Sequence, residues 1–176
     1  MVENRAWFER DFESGLREDR FPGIVERLRG TPARLEERLS GTRTDFLIQR
    51  SENKWSIQEN AGHLWDLEEL WAARLDDLIG GIKQLRAADL QNRKTHEAQH
   101  NARRLEEILA EFRKARSRLV SRLENLSATD LRCTALHPRL HQPMTGVDLF
   151  FFVAEHDDHH LATISRLFRT LRSIGA

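Results

Sequence analysis

Several features that would assign the chain to a particular class of protein are missing. It has one cysteine, Cys133, so no internal disulfide can form, which is typical of proteins from a reducing cytoplasm. It has no run of about 20 apolar residues that would span a membrane, and its first residues lack the basic start and apolar stretch of a secretory signal. Its 28 lysines and arginines are balanced by 28 acidic residues, which argues against the basic field of many nucleic-acid-binding proteins. We expect a cytoplasmic protein that binds neither membranes nor nucleic acids.

Proline and alternating strand patterns are also scarce. The four prolines leave the segment 33–137 free of the residue that most disfavours a helix interior. No segment alternates apolar with polar residues over the length of a strand. A chain of 176 residues has the size of one domain. The sequence therefore predicts one all-α domain over 1–176, with an N-terminal arm or short helix at 1–20 and a helical bundle over 22–172.

Helical periodicity and capping signals predict four long helices. Apolar residues recur at helical spacing in four segments, namely 22–40, 57–79, 96–126 and 146–172. Ser56 and Glu59 fit a capping box at the start of the second segment, and Thr145 and Asp148 fit one at the start of the fourth. Pro32 is expected to kink or split the first helix. Four long helices indicate a four-helix bundle.

The fourth predicted helix carries two histidines on its buried face. With about 100° of rotation per residue, His156 and His160 fall inside the apolar arc, together with Asp157, whereas His159 falls on its flank. Histidines four residues apart lie side by side on one helix face, close enough to hold one ion. The alternative is a pair of core histidines that are hydrogen-bonded to carbonyl groups. The spacing alone leaves both interpretations open.

A third histidine, His63, lies at the shoulder of the apolar arc of the second helix. The preceding Gly62 costs about 1 kcal/mol relative to alanine inside a helix, which suggests close packing beside that histidine. A single histidine at the edge of an apolar arc is more often structural. His63 becomes a candidate ligand only because the fourth helix supplies a pair.

Other polar residues receive a structural interpretation. Arg116 falls within the apolar arc of the third helix, which favours a packed stem with the guanidinium in solvent. The alternative is an inward guanidinium near the metal, which either pairs with Asp157 or binds an anionic substrate. His96 and His100 fall opposite the apolar face of the third helix, which indicates a solvated helix start. His137 and His141, in the proline-flanked segment 127–144, are expected in an irregular loop, and a place at the mouth of a pocket is the alternative.

The histidine pattern resembles that of the DinB superfamily, the damage-inducible B-like four-helix metalloproteins. The resemblance is carried by Lys54-Trp55-Ser56-Ile57 with His63-Leu64, and by Glu155-His156-Asp157-Asp158-His159-His160-Leu161 far downstream. It covers about 22–172. It implies a bundle with long crossover connections and three metal-ligating histidines, which fall on His63, His156 and His160.

The resemblance also implies a reaction class. Several relatives are metal-dependent thiol S-transferases or isomerases that use low-molecular-weight thiols, and many others have no assigned activity. Three imidazoles leave a divalent ion with open positions, as in catalytic sites, and both zinc and nickel suit imidazole. We therefore expect a metal-dependent enzyme of the thiol-transferase type, with zinc or nickel as cofactor, a low-molecular-weight thiol as co-substrate and a small-molecule substrate.

Two alternatives remain open from the sequence. The bundle can bind metal without catalysis and act as a homodimer or interaction module, in which case a fourth protein ligand should close the site. It can also be a metal-dependent hydrolase, which needs a general base near the ion, with Asp157 as the best candidate. Asp157 and Arg116 are also the candidates for orienting a metal-ligating imidazole, Asp157 through a hydrogen bond to the ring or through pairing with Arg116. His159 is a candidate to replace one of the three ligands.

Overall fold

The computed structural model describes residues 5–50 and 54–174, with side chains described up to position 171. The helices are α1 (Phe21–Leu39), α2 (Thr44–Leu47), α3 (Ile57–Asp66), α4 (Glu68–Ile79), α5 (Arg93–Glu97), α6 (Leu105–Glu124), α7 (Ala128–Arg132) and α8 (Gly146–Ile174). Two short strands, β1 (Ala135–Leu136) and β2 (Pro143–Met144), pair antiparallel. The N-terminal arm contains the 3-10 turns Trp7–Glu9 and Glu18–Arg20, and its positions 1–4 lie outside the described residues.

The long helices form a four-helix bundle, as the sequence predicts. Helix α1 packs against α6 and α8, and α3 packs against the same two helices. Helices α1 and α3 therefore lie on one diagonal of the bundle, and α6 and α8 lie on the other. The connection between two diagonal helices has to cross an end of the bundle, so the predicted crossover connections are present.

Some helix boundaries differ from the predicted ones. The second predicted helix is divided at Leu67 into α3 and α4. The third begins at Leu105, because Gln99 adopts a left-handed backbone conformation with φ of 49°, which interrupts a helix. Helix α1 runs through Pro32 without being split. The pair β1–β2 was not predicted, since strands of two residues are too short to show alternation.

Both predicted capping boxes are present. Ser56 Oγ accepts a hydrogen bond of 3.0 Å from the backbone N–H of Glu59, whose carboxylate accepts one of 2.9 Å from the N–H of Ser56. At the start of α8, the N–H of Asp148 donates to Thr145 Oγ1 at 3.2 Å, and Asp148 Oδ2 accepts from the N–H of Thr145 at 3.0 Å. These caps satisfy first-turn donors and fix where α3 and α8 begin, which sets the faces that their histidines occupy.

The core consists of two apolar clusters separated by a layer of polar side chains at the middle of the bundle. On α1, Leu28 belongs to one cluster and Leu35 to the other, with buried Thr31 between them. On α6, Leu119 and Phe112 belong to the two clusters and flank Arg116 in the same way. The polar layer is therefore the place where buried chemistry is concentrated in this fold. None of the described helices combines the length and apolar character needed to cross a bilayer.

Candidate metal centre

The structure brings His63, His156 and His160 together in the polar layer. Helix α3 supplies the first and successive turns of α8 supply the other two, and one ring nitrogen from each lies within 4.8 Å of the others. The ring centroids are 4.6–5.4 Å apart, and all three side chains are buried. Among the described residues, no other group of three His, Cys, Asp or Glu side chains comes this close, so His159 does not belong to the cluster.

Hydrogen bonds fix the ring orientation of His63. Its Nδ1 lies 2.9 Å from Thr95 Oγ1, and that hydroxyl donates its own proton to Asp66 Oδ2 at 2.8 Å. Since the Thr95 proton is already used, the hydroxyl oxygen accepts a proton from Nδ1 of His63. The tautomer with its proton on Nδ1 leaves the Nε2 lone pair free for a metal.

His160 is held in a similar way by α3. Its Nδ1 lies 2.9 Å from Asn60 Oδ1, while the amide nitrogen of Asn60 donates to the carbonyl of Ser56 at 2.8 Å. The amide oxygen therefore faces the imidazole and accepts its Nδ1 proton. As with His63, the Nε2 lone pair of His160 is left free.

His156 is held by packing. Its Nδ1 is buried and has no hydrogen-bond partner among the described residues. The ring meets the edges of Trp7 and Trp71, with centroid distances of 5.0 and 5.7 Å. A buried imidazole in this state requires an explanation, and a ring that binds an ion provides one.

All three imidazoles are neutral at pH 7. Burial lowers the pKa of His63 to about 4, against an opposing contribution from Asp66 and with smaller lowering contributions from His100 and His96. Burial, followed by the proximity of the other histidines, holds the pKa values of His156 and His160 well below the ordinary 6.5. Neutral imidazole is the form that binds metal, so the cluster has the donor set of a divalent metal site.

The sequence and the fold both match known proteins. The sequence profile of the DinB superfamily matches residues 27–164. This chain belongs to the DinB superfamily. Among solved structures, the chain superimposes with a TM-score of 0.81 at 17% identity on YfiT from Bacillus subtilis, described as a probable metal-dependent hydrolase with an unusual four-helix bundle topology. The match covers 92% of this chain and 93% of YfiT, and it shows a shared fold. The comparison with curated proteins gave no match.

In this DinB-superfamily chain, the interpretation of Arg116 as a solvent-reaching side chain is wrong. Arg116 is 1% exposed, and its Nη2 donates to Glu68 at 2.6 Å and to Asp157 at 3.2 Å. Burial alone would lower the pKa of Arg116, but the two carboxylates raise it, so the guanidinium stays charged. Thr31 Oγ1 also donates to Asp157, at 2.8 Å. Through these hydrogen bonds, the four side chains connect α8 to α1, α4 and α6.

This arrangement also decides the role of Asp157. Its side chain is 0% exposed and its hydrogen-bond partners are Arg116 and Thr31, so the suggestion that it acts as a general base for a hydrolase is wrong. Among the described residues, its carboxylate forms hydrogen bonds with Thr31 and Arg116 and none with an imidazole of the cluster. Asp157 supports His156 and His160 only indirectly, by fixing the position of the α8 turn that carries them.

The interpretation of His100 as part of a solvated helix start is also wrong. His100 is fully buried, and its Nε2 lies 2.8 Å from Asp66 Oδ2, the same oxygen that accepts from Thr95. The His100 ring occupies the space beside Gly62, where an added Cβ would lie 2.2 Å from ring Cγ. The predicted close packing at Gly62 exists, and its partner is His100. His96 is exposed, as predicted.

The supporting residues Asn60, Asp66 and Thr95 were missed by sequence reasoning. Asn60 and Asp66 lie three residues before and after His63, which is the helical spacing of neighbours on one face, so the signal was present in the sequence. Thr95 and His100 lie in the long connection between α4 and α6. That connection has no periodicity from which their burial could be predicted.

A pocket of about 540 Å³ opens onto the three histidines, all of which line it. Its wall is largely aromatic and includes Trp7, Phe8, Trp55, Trp71 and Phe152. The ring centroid of Trp55 lies 4.7 Å from that of His63. The histidine cluster therefore lies at the wall of a cavity that can hold a small molecule.

The charged groups of the pocket are mainly cationic. Arg74 and Arg139 line it, and the one carboxylate among the described lining residues is Asp89. Asp89 accepts hydrogen bonds from both the backbone and the side chain of Arg93. His159 is half-buried in the lining, and burial, followed by nearby arginines, lowers its pKa. The pocket thus presents cations and neutral imidazoles to a ligand.

The segment expected to be an irregular loop forms part of this wall. His137 is 2% exposed and lines the pocket, and Arg74 Nη1 donates to its Nε2 at 3.1 Å. Burial, followed by the charges of Arg74 and Arg139, lowers the pKa of His137 to about 3. A neutral His137 therefore stabilises the position of a buried guanidinium.

Proposed function

We propose that this chain is a metal-dependent enzyme that acts on a small molecule, with His63, His156 and His160 as the metal ligands. One observation carries the proposal. Three buried, neutral imidazoles present ring nitrogens within 4.8 Å of one another at the wall of a pocket of about 540 Å³. A set of three nitrogen donors suits zinc and nickel, which are the two ions we expect.

The surroundings of the cluster favour catalysis over a structural role. A structural zinc site is closed by four protein ligands, whereas a catalytic site keeps an open position. Among the described residues, the cluster contains three ligands, and all three line the pocket. This arrangement supports an enzyme over the alternative of a non-catalytic metal-binding module.

The pocket chemistry supports thiol transfer as the reaction. When bound, a divalent ion supplies a positive charge that favours the thiolate form of a thiol or the hydroxide form of water. The thiol would release its proton to solvent, the thiolate sulfur would form a bond to an electrophilic atom of the substrate, and the leaving group would depart with its electron pair. This reaction needs no carboxylate base, and Asp89, the carboxylate of the described lining, already accepts hydrogen bonds from Arg93.

A metal-dependent hydrolase is the second candidate. It is favoured by the fold shared with YfiT, which is described as a probable metal-dependent hydrolase. A neutral imidazole can act as a general base, and His159 lines the pocket beside the cluster, 5.5 Å from His160 between ring centroids. In this mechanism His159 would take the proton from the attacking water.

The test measures metal binding and thiol-dependent turnover together. The parent protein should bind about one zinc or nickel ion per chain and accelerate the reaction of a low-molecular-weight thiol with an alkylating electrophile. His160→Ala should lose both properties and remain helical, because the apolar clusters form the core. His96→Ala, which removes an exposed histidine, should keep both.

The outcomes separate the candidates. Metal binding without thiol turnover, combined with hydrolysis of an ester or amide that His159→Gln abolishes, would favour the hydrolase. Metal binding without either activity would favour a binding module. Equal behaviour of the His96 and His160 variants would show that the metal site has been assigned to the wrong residues.

A further inference from the structure

We propose that Arg74 and Arg139 form an oxyanion-binding subsite in the pocket wall, which recognises a carboxylate or phosphate group of the small molecule. The proposal rests on the proposed function in placing this molecule at the histidine cluster. The negative charge of the molecule is inferred independently, from the two arginines. Both arginines line the same cavity as the three histidines.

Arg74 is a buried cation without a carboxylate partner among the described residues. It is 2% exposed, and its donors reach two neutral groups, the carbonyl of Arg86 at 3.1 Å and His137 Nε2 at 3.1 Å. The neighbouring carboxylate, Asp77, has both oxygens bound to Arg86. Arginine is rarely buried without an ion pair, because removing its charge from water is costly.

Arg139, which lines the same pocket, has a donor without an acceptor among the described residues. Its Nη2 is buried and has no hydrogen-bond partner among the described residues. The guanidinium carbon lies 5.3 Å from the ring centroid of Phe8 and 6.0 Å from that of Phe152, so aromatic rings hold the group in place. A buried N–H of a charged group without an acceptor points to a ligand that supplies one.

Arg74 lies near the histidine cluster, with the Trp71 ring between them. The guanidinium carbon of Arg74 lies 5.5 Å from the ring centroid of Trp71. The ring centroid of His156, a member of the cluster, lies 5.7 Å from the same Trp71 centroid. One indole ring therefore separates the cationic group from the cluster. An aromatic or aliphatic body in the pocket would place its anionic group at the arginines.

Electrostatics support this assignment. Burial lowers the pKa of Arg74 to about 10, and Arg139 and Arg86 add repulsion, while Asp77 opposes the change. The group is still charged at pH 7, and an oxyanion beside it would relieve part of the cost of its burial. The planar guanidinium binds carboxylates and phosphates through paired hydrogen bonds.

A purely structural role accounts for Arg74 better than for Arg139. Hydrogen bonds of Arg74 connect α4 to the segments that contain Arg86 and His137, which can explain its burial. No such connection explains the unpartnered Nη2 of Arg139. Arg139 is therefore the position at which the two explanations make different predictions.

The experiment titrates the metal-free protein, so that coordination to an ion cannot contribute. Benzoate and phenyl phosphate carry an oxyanion on an aromatic ring, and benzamide is a neutral molecule of the same shape as benzoate. We expect the parent protein to bind at least one of the anions about tenfold or more tightly than benzamide, as charge-assisted hydrogen bonds imply. Isothermal titration calorimetry and NMR shifts measure the difference, and the tighter anion identifies the preferred group.

Variants locate the binding. Arg139→Gln should reduce anion affinity about tenfold and leave benzamide affinity unchanged. Arg118→Gln, which removes the same charge from an exposed position on α6 outside the pocket lining, should bind like the parent. The proposal is overturned if the parent binds neither anion, if benzamide binds equally well, or if Arg139→Gln keeps the full preference.

The result is separable from that of the proposed function. Anion binding that depends on Arg139, in a protein that fails to bind zinc or nickel, would leave the subsite standing and remove the metal proposal. Metal binding and turnover with no preference for anions would support the metal proposal and overturn the subsite. Each proposal therefore fails on its own measurement.

Discussion

Replacing Thr95 by valine tests whether a hydrogen-bond relay prepares the metal site. The hydroxyl of Thr95 accepts from His63 Nδ1 at 2.9 Å and donates to Asp66 at 2.8 Å. Valine has nearly the same shape and cannot form either bond. The substitution therefore removes the relay without opening a cavity at this buried position, where the side chain is 3% exposed.

Two costs follow from these contacts. In the metal-free protein, His63 Nδ1 loses its acceptor, while Asp66 keeps His100 as a donor at 2.8 Å. A buried polar group without a partner lowers the free energy of unfolding by about 1–3 kcal/mol. Loss of the group that orients a metal-binding histidine typically reduces metal affinity by about 10–100-fold. That reduction corresponds to about 1.4–2.8 kcal/mol.

Competition for zinc against a chromophoric chelator measures the affinity, and urea unfolding of the metal-free protein measures the stability. Thr31→Val is the matched control, because Thr31 is equally buried and its hydroxyl also donates to a buried carboxylate, Asp157. It should lower stability to a similar extent and leave zinc affinity within about threefold of the parent. If Thr95→Val binds zinc as tightly as Thr31→Val, the relay has no part in metal binding.

Three further predictions follow from other contacts. Gly62→Ala should lower the free energy of unfolding by about 1–3 kcal/mol because its Cβ would overlap His100, whereas Gly23→Ala, with open space around it, should not; equal effects would contradict this. Metal-free protein should lose stability as pH falls below about 6.5, because the unfolded chain protonates histidines that the folded chain keeps neutral. His137 contributes to this loss, because its pKa in the folded chain is lowered to about 3. In urea unfolding, His137→Gln should therefore reduce the change of the unfolding free energy with pH by at most about 1.4 kcal/mol per pH unit. The same pH dependence in the variant and the parent would contradict this. Arg116→Met should cost about 3–5 kcal/mol in the same assay, because it leaves buried carboxylates unpaired, and a loss below about 1 kcal/mol would refute that.

The sequence was most informative where regular helices determine which side chains share a face. The spacing of His156 and His160 and the cap at Thr145 are sufficient to place both rings on the inner face of α8, and the structure places them there. The bundle itself follows from the apolar periodicity of the long helices. Its crossover connections followed only from the family resemblance, since periodicity carries no information about which helices are neighbours.

The sequence was least informative where a side chain depends on partners far along the chain. The burial of Arg116 requires Glu68 and Asp157, which lie on two other helices. An arginine in an apolar arc looks the same whether it reaches solvent or finds two carboxylates inside the bundle. For Thr95 the obstacle is different, because the irregular connection between α4 and α6 has no helical periodicity that would predict which side chains are buried. For His100 the predicted orientation assumed a helix that begins only at Leu105.

The three imidazoles of the cluster are held by groups from different parts of the chain, and this has a physical consequence. His63 depends on Thr95 in a connection, His160 depends on Asn60 in a neighbouring helix, and His156 depends on aromatic packing against Trp7 and Trp71. Each support comes from an element other than the one that carries the ligand. A site of this kind forms only when helices and connections are all in place, so its geometry is coupled to the folding of the whole chain. The apolar clusters on either side of the polar layer supply the burial that offsets the cost of keeping these polar groups away from water.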